Sequence, residues 1–179
     1  QFNTVQSAPN GDLYLLLDQK DGVRLLKTDA TATSVLAQAQ LGTAGDIGLA
    51  MALDPSGNVY ITGTSTSSAL TATSGAAFPS RTGTAINSFI AKFDANLNPL
   101  FVTFAGSDRM AVTAIAATSD SVFITGSIFS ATLPVTPSAI ISAPAAGSFQ
   151  NGFSATLYSL PAFAAEASAP RSEEGRAGK

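Results

Sequence analysis

Short apolar runs bounded by turn residues organise this chain. In Asn58-Val59-Tyr60-Ile61-Thr62-Gly63, Val59 and Ile61 fall on one face of an extended strand and Tyr60 and Thr62 on the other. Both faces are largely apolar, which predicts a strand buried on two sides rather than one with a wet face. The run recurs as Ser121-Val122-Phe123-Ile124-Thr125-Gly126 at an offset of 63, and Gly57-Asn58-Val59-Tyr60-Ile61 matches Gly11-Asp12-Leu13-Tyr14-Leu15 at an offset of 46. A repeating unit follows from these offsets.

Other strands recur around this one. Phe89-Ile90-Ala91-Lys92-Phe93-Asp94 aligns with Arg24-Leu25-Leu26-Lys27-Thr28-Asp29 and, more loosely, with Phe153-Ser154-Ala155-Thr156-Leu157-Tyr158. The spacing is 29 residues from Tyr60 to Phe89 and 30 from Phe123 to Phe153, but only 10 from Tyr14 to Arg24. The first copy therefore replaces a long insertion with a tight hairpin at Lys20-Asp21-Gly22. Ala50-Met51-Ala52-Leu53-Asp54 and Val112-Thr113-Ala114-Ile115-Ala116 precede the turn, and Ser34-Val35-Leu36-Ala37 and Leu100-Phe101-Val102-Thr103-Phe104 complete four short strands per unit. The expected fold is all-β: about three four-stranded, β-propeller-type blades within residues 1–160 (approximately 7–49, 50–111 and 112–158), then a flexible tail over 161–179. Phe89, Phe93, Phe101, Phe104, Phe123 and Tyr60 fall on strands and are expected in the core.

Composition sharpens this picture. The chain has no His, Cys or Trp, which removes zinc sites, thiol chemistry and any Ser-His-Asp arrangement. All nine Asp precede residue 121, whereas the three Glu (Glu166, Glu173, Glu174) lie in the last fourteen residues. Asp favours turns and Glu favours helices, so the body is turn-rich and the tail is of another kind. Six cations face nine Asp in the body, which leaves no basic footprint for nucleic acid. No apolar run approaches the length of a spanning helix. Gln1-Phe2-Asn3 carries neither an initiator Met nor a charged leader and reads as a processed or cut end.

The residues Asp54, Gly57, Asn58, Tyr60, Thr62, Gly63, Thr64 and Ser67 spell Asp-x-x-Gly-Asn-x-Tyr-x-Thr-Gly-Thr-x-x-Ser. Over residues 34–158 the chain resembles the bacterial β-propeller repeat family called SBBP, whose loop is also similar to Leu133-Pro134-Val135-Thr136-Pro137-Ser138-Ala139-Ile140. The third copy departs from it, with Ser119-Asp120-Ser121 at the turn and Thr156 and Tyr158 where Lys and Asp are expected. The resemblance implies an exported or surface protein on a propeller scaffold, and it supplies no catalytic residues.

The candidate chemistry is sparse. Asp54-Pro55-Ser56-Gly57-Asn58 has oxygen ligands at close spacing but lacks the repeated acids of a calcium loop, and it reads as a hairpin turn, as does Asp120. Asp54, Asp94 and Asp108 are the carboxylates a glycoside hydrolase or lyase would need, yet they stand at turn and strand boundaries. Lys92 with Ser88 has the types of a Ser-Lys nucleophile, but Lys27 fills the same repeat position without a Ser. Arg81, Asp108 and Arg109, charged loop residues in a weakly charged chain, are the candidate contacts to a polar ligand. The functional expectation is a non-catalytic, secreted or cell-surface scaffold that binds a protein or glycan through Ser/Thr-rich loops at 64–88 and 127–152, without metal, cofactor or nucleic acid. The alternative is a propeller-type hydrolase or lyase using Asp. Three blades do not close a ring, so a homodimer or additional blades are expected partners.

Overall fold

A computed structural model describes residues 1–83, 86–105, 110–128 and 151–158. They form strands and no helix: β1 (Phe2–Ser7), β2 (Leu13–Gln19), β3 (Gly22–Thr28), β4 (Val35–Leu41), β5 (Asp46–Leu53), β6 (Val59–Ser65), β7 (Asn87–Phe93), β8 (Pro99–Phe104), β9 (Met110–Ala117), β10 (Ser121–Ile128) and β11 (Asn151–Tyr158). Three antiparallel sheets result, ordered β1-β2-β3-β4, β5-β6-β7-β8 and β9-β10-β11. They are called the first, middle and third sheets below. The second and third begin at Asp46 and Met110, a few residues ahead of the starts the repeats set. The proposed tail at 161–179 lies outside the described residues.

The sheets stack face to face. β5 packs on β1, β2 and β3, and β9 packs on β5, β6 and β7, while the fourth strands stay at the far edges. Successive first strands run the same way: Asn3 Nδ2 donates to the Gly48 carbonyl and Gln6 Nε2 to that of Met51, equal steps along β1 and β5. This fan of antiparallel sheets is the propeller arrangement, although among the described residues the third sheet has three strands and not the four expected of each unit. One core lies between the first and middle sheets, with Tyr14, Leu16, Val23 and Leu25 against Met51, Val59, Ile61, Phe89, Ala91 and Phe93. The other lies between the middle and third sheets, with Tyr60, Ile90 and Phe101 against Met110, Val112, Val122, Ile124 and Ile128. Every position of β6 except Thr64 and of β7 except Lys92 is buried, as two apolar faces require.

β10 does not share this two-sided burial. Val122 and Ile124 face the middle sheet, but Phe123 is 45% exposed, so its expected place in the core is corrected. The cause is position in the stack, since among the described residues no sheet covers that side of β10. β1, absent from the sequence expectation, pairs with β2 from Phe2↔Leu17 to Ser7↔Leu13.

The Thr-Gly pair of the repeat has a geometric cause. The first strand of each sheet carries a bulge at the same place, with Asn3, Leu49 and Thr113 skipped in the pairing with β2, β6 and β10. In the middle and third sheets the bulged backbone presses on the glycine opposite. A Cβ on Gly63 would lie 2.0 Å from the Ile47 carbonyl oxygen, and one on Gly126 would lie 1.9 Å from that of Ala111. The preceding threonine bonds across to the third strand: Thr62 Oγ1 donates to the Phe89 carbonyl at 2.9 Å and Thr125 Oγ1 to that of Phe153 at 2.7 Å. Gly63→Ala and Gly126→Ala should each cost about 2–3 kcal/mol by forcing the backbone apart. Gly152→Ala, whose Cβ would meet nothing closer than 3.9 Å, should leave the urea midpoint unchanged.

Candidate functional site

Antiparallel alternation puts the β1–β2, β3–β4, β5–β6, β7–β8 and β9–β10 turns at one end of the stack. The β2–β3 and β6–β7 connections, the link from β4 to β5 and the last residues of β8 and β10 lie at the other. The two ends are built differently.

At the turn end, carboxylates serve the backbone. Asp54 Oδ1 accepts from the Ser56 and Asn58 amides, both at 2.9 Å, and Oδ2 from Asn58 Nδ2 at 2.7 Å and the Tyr60 hydroxyl at 3.1 Å. Asp94 repeats the scheme with Asn96 and Asn98. Both loops close in the same way, the Gly57 amide bonding the Asp54 carbonyl and the Leu97 amide that of Asp94. The shared shape puts Gly57 at φ 81° and Leu97 at φ 64°. Leucine accepts this left-handed conformation because its side chain is buried in the core between the first and middle sheets. Asp29 holds the amides of Thr33 and Ser34 in a turn one residue longer.

The charges at this end respond to these contacts. Hydrogen bonds from the Asn98 side chain and amide hold the Asp94 carboxyl below its ordinary value, and bonds from the Ser34 amide and Thr33 side chain do the same for Asp29. Burial, followed by the Asp54 charge and their hydrogen bond, pushes the Tyr60 hydroxyl well above the usual tyrosine range. Lys92 lies 5.2 Å from the centre of the Tyr60 ring, and Lys27 lies 5.4 Å from that of Tyr14, at the equivalent cross-strand pair. Lys92 thus packs on an aromatic face. Ser88 Oγ donates to the Met110 carbonyl at 2.7 Å and accepts from the Val112 amide at 2.8 Å, so it joins two sheets rather than forming a nucleophile with Lys92.

The other end holds Arg81. Its Nη1 donates to the carbonyls of Thr66 and Ser67 at 3.1 and 2.9 Å, which ties the start of the β6–β7 connection to its later part. Ser67 Oγ donates to Asp46 Oδ2 at 2.7 Å, and the same oxygen accepts from the Thr43 amide at 2.7 Å. Asp46 is 2% exposed, and its Oδ1 is buried without a hydrogen bond among the described residues. Sequence reasoning passed over Asp46, though Gly42 and Gly45, both at positive φ, flag a tight approach there. Asn87 closes the loop by accepting from the Thr82 amide and hydroxyl and donating to the Thr82 carbonyl. Asp108 and Arg109 lie outside the described residues, as does most of the second long connection.

Part of the β6–β7 connection covers an edge. The Thr73 amide bonds the Val102 carbonyl at 2.9 Å, Thr73 Oγ1 accepts from the Val102 amide at 2.8 Å, and the Phe104 amide bonds the Phe78 carbonyl at 3.1 Å. Residues 73–78 therefore shield the outer strand β8, with Leu70 and Ala76 buried beneath the connection. Around these anchors Thr71, Ser74 and Ser80 remain exposed. The result is a neutral hydroxyl-bearing surface held by one guanidinium. Among the described residues no three acidic side chains gather where they would hold a metal ion, and no helix is long and apolar enough to cross a membrane.

Fan-like stacking, repeated turns and the Thr-Gly bulge contact define a β-propeller-type protein. Comparison with protein families bears this out, since residues 39–69 match the family described as Beta-propeller repeat, SBBP. The matched stretch runs from the end of β4 through β5, the Asp54 turn and β6 to the first residues of the loop. No curated protein matches the chain.

The Asp54–Tyr60 contact makes a pH-dependent prediction. An unfolded tyrosine ionises near 10.0, whereas Tyr60 stays protonated in the fold, so its contribution is complete below that value and declines as pH rises above it. Tyr60→Phe should cost about 1 kcal/mol at pH 7 through the lost hydrogen bond. The gap between wild type and variant in urea midpoint should narrow steadily above pH 10; a constant gap would show that Tyr60 titrates as an ordinary tyrosine.

Proposed function

We propose that this chain is a non-catalytic propeller scaffold, exported or displayed at a bacterial cell surface, whose loop end recognises a protein or glycan partner. The repeat match supports the scaffold. The export reading rests on the resemblance of the Asp-x-x-Gly-Asn-x-Tyr-x-Thr-Gly run to exported repeat proteins. The observation that carries the binding reading is the contrast between the ends. Asp54, Asp94 and Asp29 are engaged by their own turns. The opposite end fixes a long connection through Arg81 and Asn87 and leaves Thr71, Ser74 and Ser80 exposed. Neutral hydroxyls on an anchored loop suit hydrogen bonding to a polar partner at little ordering cost.

The test is a glycan array and a surface-immobilised protein panel, probed with wild type and with a Thr71→Arg, Ser74→Arg, Ser80→Arg triple variant. Binding by the wild type that weakens at least tenfold in the triple variant, at an unchanged melting temperature, is the expected result. Turnover of a glycan by the wild type, abolished in Asp54→Asn or Asp94→Asn, would overturn the proposal in favour of a hydrolase or lyase, as would equal binding by the two proteins.

A further inference from the structure

The two outer sheets expose the faces that the middle sheet buries. Phe123 stands one repeat after Tyr60, yet Phe123 is 45% exposed and Tyr60 4%. Around Phe123 the outward face of the third sheet holds Thr125, with Ala114 and Ala116 opposite on β9, all exposed and uncharged. In the middle sheet the equivalent Thr62 is fully buried, and its hydroxyl reaches toward the Val112 carbonyl of the sheet that covers it. Thr125 keeps the cross-strand bond of Thr62 but, among the described residues, has no covering sheet.

The first sheet shows the complementary face. Val5 pairs with Leu15 as Met51 pairs with Ile61, and Leu15 and Ile61 are one repeat apart. Met51 is 3% exposed against the first sheet, whereas Val5 is 57% exposed and its neighbour Phe2 71%. Leu15 and Leu26 extend this face across β2 and β3, where Ile61 and Ala91 make the buried equivalent.

We propose that a second copy of this chain covers both faces, the Phe123 face of each copy packing on the Val5 face of the other. The argument is continuity. The same pair of faces already meets twice within the chain, first sheet on middle and middle on third, and this contact is the next term of that series. Two copies related by a two-fold axis satisfy all four outer faces at once. Six sheets fall within the four to eight blades of closed propellers, and closure leaves no face to propagate a filament. Large apolar side chains exposed on both outer faces are the kind of surface that marks such an interface.

Light scattering after size exclusion, over a concentration series of the full chain, reads the outcome. The wild type should run at twice the 18.0 kDa of one chain. Phe123→Lys and Val5→Lys should each run at the mass of one chain with an unchanged circular dichroism spectrum; Thr125→Arg is a further variant on the first face should Phe123→Lys not fold. An equimolar mixture of Phe123→Lys and Val5→Lys should recover a dimer, because one of its two contacts joins two unaltered faces. A wild type of single-chain mass throughout, including one whose faces are covered by its own residues or bind another protein instead, would overturn the proposal. So would an interface disrupted by Phe123→Lys but not by Val5→Lys, which would mean like faces meeting, or an open-ended series of higher masses.

Discussion

Burial of the middle sheet on both sides is the constraint on which the structure depends. β6 and β7 put Ile61, Phe89 and Phe93 against the first sheet and Tyr60 and Ile90 against the third. A lone four-stranded sheet with apolar residues on both faces would expose one of them, and burying each large aliphatic side chain gains about 1.5–3 kcal/mol. The sheets therefore exist as a stack or not at all. Their ladders set strand order, and the faces set which sheet follows which.

The repeat motif becomes a set of parts in this light. The aspartate organises the turn, the tyrosine spans from the turn to the next sheet, the threonine joins neighbouring strands, and the glycine admits the bulged first strand. Where one part changes, its partner has changed too. The third sheet has Phe123 in place of tyrosine, and its turn, closed by the Thr118 amide on the Ser121 carbonyl, offers no aspartate acceptor equivalent to Asp54. In the first sheet the Tyr14 hydroxyl instead crosses to the Ala95 carbonyl of the middle sheet. Structural work thus occupies the turn end, and the variable connections gather at the other.

Much of this was legible in the chain. Repeat offsets and two-faced apolar strands marked the sheets, and Asp54 and Asp94 read correctly as turn residues, each with an Asn four positions on. β1 escaped notice because Phe2 and Val5 are three residues apart, a spacing that breaks the alternation of a strand. The bulge at Asn3 restores both to one face, and a bulge has no signature in a single strand's sequence. Phe123 read as core because its neighbours matched Tyr60, but burial depends on whether another sheet follows. Arg81 was recognisable as an isolated cation, whereas its grip on the Thr66 and Ser67 carbonyls and the edge-covering path of residues 73–78 depend on contacts far apart in sequence.

If stacking governs stability, damage to one face must be felt in all the sheets. Ile61, fully buried between the first and middle sheets, is the place to apply it. Ile61→Ala should cost about 2–5 kcal/mol, and amide hydrogen exchange should show that loss as an equal drop in protection across β2–β3, β6–β7 and β9–β10. A drop confined to β5–β8, with the first and third sheets as protected as before, would contradict the account and make the sheets independent units.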